Sequence, residues 1–104
     1  MAGTRALLLD MDGVIVAAGQ LIPGAAEAIG RLEATGFPYR IVTNTSAVSR
    51  ARLAHWAARL GATIPPHRFL SALSASAAYT ARAFPGQPLY VLASDDAKTE
   101  FGGQ

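Results

Sequence analysis

A chain of 104 residues that is 51% apolar, 15% charged and formally +2 at neutral pH has room for one small domain and is too apolar to stay unfolded. It contains no cysteine, which excludes disulfide scaffolds, thiolate zinc sites and cysteine nucleophiles. No apolar run approaches the roughly 20 residues of a membrane span, and Ala6–Leu9 is too short for a signal peptide before Asp10, so a cytoplasmic protein with no membrane partner is expected. Arg50, Arg52 and Arg59 share part of one helix surface, whereas Arg31, Arg40, Arg68 and Arg82 stand alone. That scatter argues against a nucleic-acid partner, which needs a clustered basic stripe.

Along the chain, Arg5–Asp10 is a short apolar run ending in acid and then glycine, as expected for a buried strand of a parallel sheet. Val14–Ile22 is glycine-broken and reads as a loop or small hairpin. Pro23-Gly24 opens a helix to about Thr35, with Ala26, Ile29, Leu32 and Glu33 in helical spacing and Gly36 as its stop. Pro38–Thr43 is a second strand, and Asn44-Thr45-Ser46 is a polar turn rich in capping oxygens. A second helix is predicted over Val48–Leu60, with Leu53, Trp56, Ala57 and Leu60 on its core face and Gly61 beyond its end. After Pro65-Pro66, Ser71 caps a third helix reaching about Phe84. Pro85-Gly86 then turns the chain into a third strand, Leu89–Ala93. Ser94–Phe101 reads as the start of a further helix, cut short by the tail Gly102-Gly103-Gln104. Strands alternating with helices predict an α/β fold with a Rossmann-like parallel sheet. Three such strands make a thin sheet, so residues 1–104 read as part of a larger fold.

Two motifs carry chemistry. In Asp10-Met11-Asp12-Gly13, residues i and i+2 of a continuing strand point the same way, so both carboxylates face one crevice. Their repulsion calls for a hard cation such as Mg2+, and ligands of parallel α/β sheets bind where these residues stand, at the carboxyl ends of strands. Asp10 is then placed to attack phosphorus and Asp12 to protonate the leaving oxygen. An ordinary strand-to-turn ending accounts for the tetrapeptide equally well. The second motif is Thr43-Asn44, a hydroxyl followed by turn amides that suits a phosphate oxygen but equally suits a helix cap. Both motifs end strands expected to be neighbours, which favours a shared site. His55 and His67 lack a third ligand and read as packing or surface residues, and Trp56 reads as core.

Leu8–Val14, Ile22-Pro23-Gly24-Ala25, Val42-Thr43-Asn44 and the downstream Ser46 and Arg50 together resemble the haloacid dehalogenase superfamily, in its class IIA branch of 4-nitrophenyl phosphatase-like, phosphoglycolate phosphatase-like and pyridoxal phosphate phosphatase-like enzymes. The resemblance implies a magnesium-dependent phosphatase of small phosphorylated metabolites that works through an aspartyl-phosphate. It implies Asp10 as nucleophile and metal ligand, Asp12 as general acid/base that also offers the metal its carbonyl, and Thr43 with the Asn44 amide as phosphate binders. Many members have Asn where this chain has Thr45. The family also uses a lysine, a later acidic pair and a substrate-selecting cap, for which neither Lys98 nor Asp95-Asp96 substitutes. Residues 1–104 are therefore expected to be the amino-terminal half of such a core, without the cap and carboxyl-terminal half. Weak or no turnover follows for the isolated chain, as does self-association through an exposed sheet edge. The competing expectation is a non-catalytic truncated domain or a partner-dependent binding module.

Overall fold

The structure, a computed structural model, describes Gly3 and residues 5–102. The elements in chain order are β1 (Leu7–Asp10), a hairpin of β2 (Val16–Ala17) and β3 (Gln20–Leu21), α1 (Ala25–Thr35), β4 (Tyr39–Thr43), α2 (Arg50–Leu60), β5 (Phe69–Ser71), α3 (Ala72–Ala83) and α4 (Asp95–Lys98). The main sheet is three-stranded and parallel in the order β1-β4-β5, with Asp10 opposite Val42 and Thr43 opposite Ser71. No described helix is long and apolar enough to cross a membrane.

Local sequence accounts for most of these boundaries. Gly36 and Gly61 end α1 and α2 in the left-handed conformation, at φ 69° and 114°, which glycine adopts without a Cβ clash. Ser71 and Ser74 cap α3 reciprocally: each hydroxyl accepts the other residue's backbone N–H at 2.9 Å. Ile29 from α1, Tyr39 and Ile41 from β4, Leu53 and Ala57 from α2 and Phe69 from β5 form one buried cluster. Burying each large aliphatic or aromatic side chain there contributes about 1.5–3 kcal/mol.

Three expectations need correction. Leu89–Ala93 is not a strand. Its burial alternates as a strand's does, with Tyr90 90% and Leu92 85% exposed, but it joins no ladder among the described residues. The third strand is instead Phe69–Ser71, too short to show a period and ending on the serine that caps α3. Trp56 is 37% exposed, because the buried face of α2 runs through Leu53 and Ala57 and leaves position 56 at its margin. The cap of α2 is Ser49, whose hydroxyl accepts the Arg52 N–H at 3.1 Å, and not the Asn44–Ser46 turn. Gly103 and Gln104, the end of the glycine tail, lie outside the described residues.

Candidate functional site

The parallel pairing of β1 with β4 brings the two motifs together. Beyond Asp10, the Met11 N–H donates to the Val42 carbonyl at 3.2 Å, so the ladder holds one residue past the strand. Asp10 and Asp12 are exposed while Met11 between them is 3% exposed, the alternation that sets both carboxylates on one side. The chain then folds back tightly. The Met11 carbonyl accepts the Ile15 and Val16 N–H groups at 3.0 and 3.1 Å, and the Gly13 N–H donates to the Val16 carbonyl at 2.8 Å. Gly13 sits at φ 82°, where a side chain would be strained.

Across the sheet, Thr43 is 9% exposed and Asn44 is exposed. The Thr43 hydroxyl accepts the Thr45 N–H at 3.4 Å, and the Thr45 hydroxyl in turn accepts the Ala47 N–H at 3.4 Å. Threonine at position 45 thus serves its own loop as a turn-forming hydroxyl. Asp10, Asp12, Val42, Thr43 and Asn44, with Leu8 and Leu9, line one open pocket of about 580 Å³. All four predicted site residues therefore meet. A larger groove of about 760 Å³ runs along α3, lined by apolar groups such as Phe69, Phe84, Leu89 and Phe101, and contains none of them.

Two exposed carboxylates on one pocket are hard oxygen donors of the kind magnesium prefers, so their chemistry fits that ion. They fill only part of a six-oxygen shell: among the described residues no group of three His, Cys, Asp or Glu is placed to hold a metal. Asp96, in the pair that sequence reading set aside as a metal ligand, is engaged elsewhere, with both oxygens taken by Ser49.

What sequence reading missed is how the loop between Thr43 and α2 is held. The Asp96 carboxylate accepts the Ser49 N–H at 2.7 Å and the Ser49 hydroxyl at 2.8 Å, and those two bonds hold its carboxyl below the ordinary value of 3.8. Glu100 accepts the Arg50 N–H at 2.7 Å and pairs with the Arg50 guanidinium at 3.0 Å. The four-residue spacing of Asp96 and Glu100, one helical turn apart, was the available signal.

The sequence profile described as haloacid dehalogenase-like hydrolase matches residues 7–103. The chain is 34% identical over 105 residues to the human phospholysine phosphohistidine inorganic pyrophosphate phosphatase, covering 97% of this chain and 38% of that protein. It is 39% identical over 95 residues to glycerol-3-phosphate phosphatase of Gallus gallus, covering 88% of this chain and 30% of that one. Among solved structures, NagD from E. coli K-12 superposes with a TM-score of 0.81 at 27% identity, over 93% of this chain and 38% of NagD. The chain thus spans only 30–38% of the length of these proteins. On the strand-end site, the residues 7–103 match and this shared fold, the chain belongs to the haloacid dehalogenase-like hydrolases, in their class IIA branch.

Proposed function

We propose that this chain carries the nucleophile and phosphate-binding edge of a magnesium-dependent phosphatase for small phosphorylated metabolites. The observation that carries the reading is the pocket shared by Asp10, Asp12, Thr43 and Asn44 across the paired ends of β1 and β4. In it, the Thr43 hydroxyl and the Asn44 amide orient the phosphate. Asp10 attacks phosphorus while Asp12 gives its proton to the departing alkoxide, leaving an acyl phosphate on Asp10. Asp12 then takes a proton from water as that water attacks phosphorus, releasing phosphate and restoring Asp10. Magnesium held by Asp10 and Asp12 supplies neutralisation of the phosphate charge when bound.

Residues 1–104 on this reading form the amino-terminal half of the catalytic core. Electrostatic stabilisation dominates phosphoryl transfer, and a two-carboxylate donor set supplies little of it, so weak or no turnover by this chain is part of the proposal. Magnesium-dependent binding of inorganic phosphate, followed by 31P NMR, tests the site directly. Asp10→Asn and Thr43→Val should each weaken it by about tenfold or more. Unchanged binding in both variants refutes the site, and rapid hydrolysis of an aryl phosphate by the wild-type chain refutes its incompleteness.

The edge of β1 away from β4, which has no ladder partner among the described residues, also supports association of two copies by edge pairing. Light scattering on the eluting protein reads this as a dimer mass, and a monodisperse monomer counts against it.

A further inference from the structure

The loop Asn44–Ser49 joins the Thr43 hydroxyl to the first turn of α2, and a segment far away in sequence holds it. Two side chains of Ser94–Glu100 reach it, and a third holds Arg50, the first residue of α2. The Ser94 hydroxyl donates to the Ala47 carbonyl at 3.0 Å. Asp96 accepts from Ser49 twice and pairs with the Arg52 guanidinium at 3.3 Å. Glu100, only 6% exposed at its side chain, accepts the Arg50 amide and guanidinium. Ala97, between the two acids, is fully buried, so the segment lies packed against the body of the protein. From Ala47 the chain of bonds continues through Thr45 to the Thr43 hydroxyl, while Ser49 ends the same loop at the entrance of α2. The far side of the loop is tied to α3, where the Leu73 N–H donates to the Thr45 carbonyl at 3.3 Å.

We propose that Asp96 and Glu100 are positioning residues for the phosphate site, Asp96 gripping the Asn44–Ser49 loop at Ser49 and Glu100 its junction with α2 at Arg50, so that Thr43 and the Asn44 amide are held ready for a phosphate oxygen. The inference rests on the reading of that pocket as a phosphate site. Its physical basis is preorganisation: a loop fixed before the anion arrives loses less freedom on binding than one that must be ordered by it. A carboxylate bonded to backbone N–H groups makes the stronger, charge-assisted kind of hydrogen bond, so neutral Asn or Gln replaces it poorly.

Amide hydrogen exchange on the 104-residue chain, together with 31P NMR titration of inorganic phosphate with magnesium, tests this. In Asp96→Asn and Glu100→Gln, the Thr45 and Ala47 amides should exchange about tenfold faster, while Ile41 in β4 and Leu32 in α1 keep their rates. Phosphate affinity should fall about tenfold in both and return in Asp96→Glu and Glu100→Asp. Should Asp96→Asn fail to fold, Ser94→Ala, which deletes the bond to Ala47 and the cap of α4, carries the same expectation at smaller size. Unchanged loop exchange overturns the proposal, and so does equal acceleration at Ile41 and Leu32, which would make the acids general stabilisers. Phosphate binding lost in Thr43→Val but retained in Asp96→Asn and Glu100→Gln overturns the positioning role alone. A wild-type chain that binds no phosphate overturns the pocket reading, and exchange at Thr45 and Ala47 still decides whether the grip holds the loop.

Discussion

The two ends of β4 hold their polar groups in opposite conditions. At its start, Tyr39 is 1% exposed, and its hydroxyl donates to a Glu33 carboxylate oxygen at 2.7 Å. The Arg68 Nε donates to that same oxygen at 2.7 Å, and the guanidinium lies 4.6 Å over the Tyr39 ring. Glu33 and Arg68 there pair with each other. At the other end, Asp10 and Asp12 face an open pocket with no cation paired to either among the described residues. Paired charges at a buried strand end serve stability, whereas adjacent unpaired carboxylates are kept only at a cost in repulsion that a bound cation relieves. The difference separates the end that holds the sheet from the end proposed as the phosphate site.

The sharpest way to break this comparison is to cut both ends and weigh the losses. Tyr39→Ala removes a fully buried aromatic ring and should cost about 3–5 kcal/mol in a urea titration, a large part of a small domain's stability. Asp10→Asn, at an exposed position, should leave the unfolding free energy within about 0.5 kcal/mol. Similar losses from both would show that the carboxylate end is structural as well.

A smaller effect follows from acid. Hydrogen bonds from Arg68 and Tyr39 hold the Glu33 carboxyl below its ordinary 4.5, as those from Ser49 hold Asp96 below 3.8. Folding therefore favours the ionised form of both. Their contribution is complete above those ordinary values and is lost as pH falls through the lowered ones. The urea midpoint should be flat above about pH 5 and fall steadily below about pH 4. Equal midpoints at about pH 3 and about pH 6 would mean that neither carboxylate contributes to stability.

Much of the fold was legible because its signals are local. The glycine stops of α1 and α2 and the Ser71 cap act within one helical turn, and the apolar runs of β1 and β4 mark strands of a parallel sheet. β1 is nevertheless not the buried strand expected: none of its residues is buried and Leu8 is 73% exposed. Phe69–Ser71 escaped notice because three residues show no period, and Leu89–Ala93 misled because strand composition does not supply a partner. Of the site, Asp10, Asp12, Thr43 and Asn44 were legible as motifs ending strands. The grip of Asp96 on Ser49 was not, since the contact spans 47 residues of chain and the spacing of Asp96 and Glu100 does not name its partner.

The sequence by itself determined the alternation of strands and helices, the spacing that sets Asp10 and Asp12 on one side, and the candidate residues for a phosphate site. These follow from backbone periodicity and side-chain chemistry, which act over a few residues. Only the tertiary structure decided that β1 lies beside β4 with Asp10 opposite Val42, that β5 and not Leu89–Ala93 completes the sheet, and that Asp96 and Glu100 bond Ser49 and Arg50 at the entrance of α2. Pairing and docking depend on which distant surfaces bury apolar area and satisfy polar groups together, and no short stretch of sequence contains that balance.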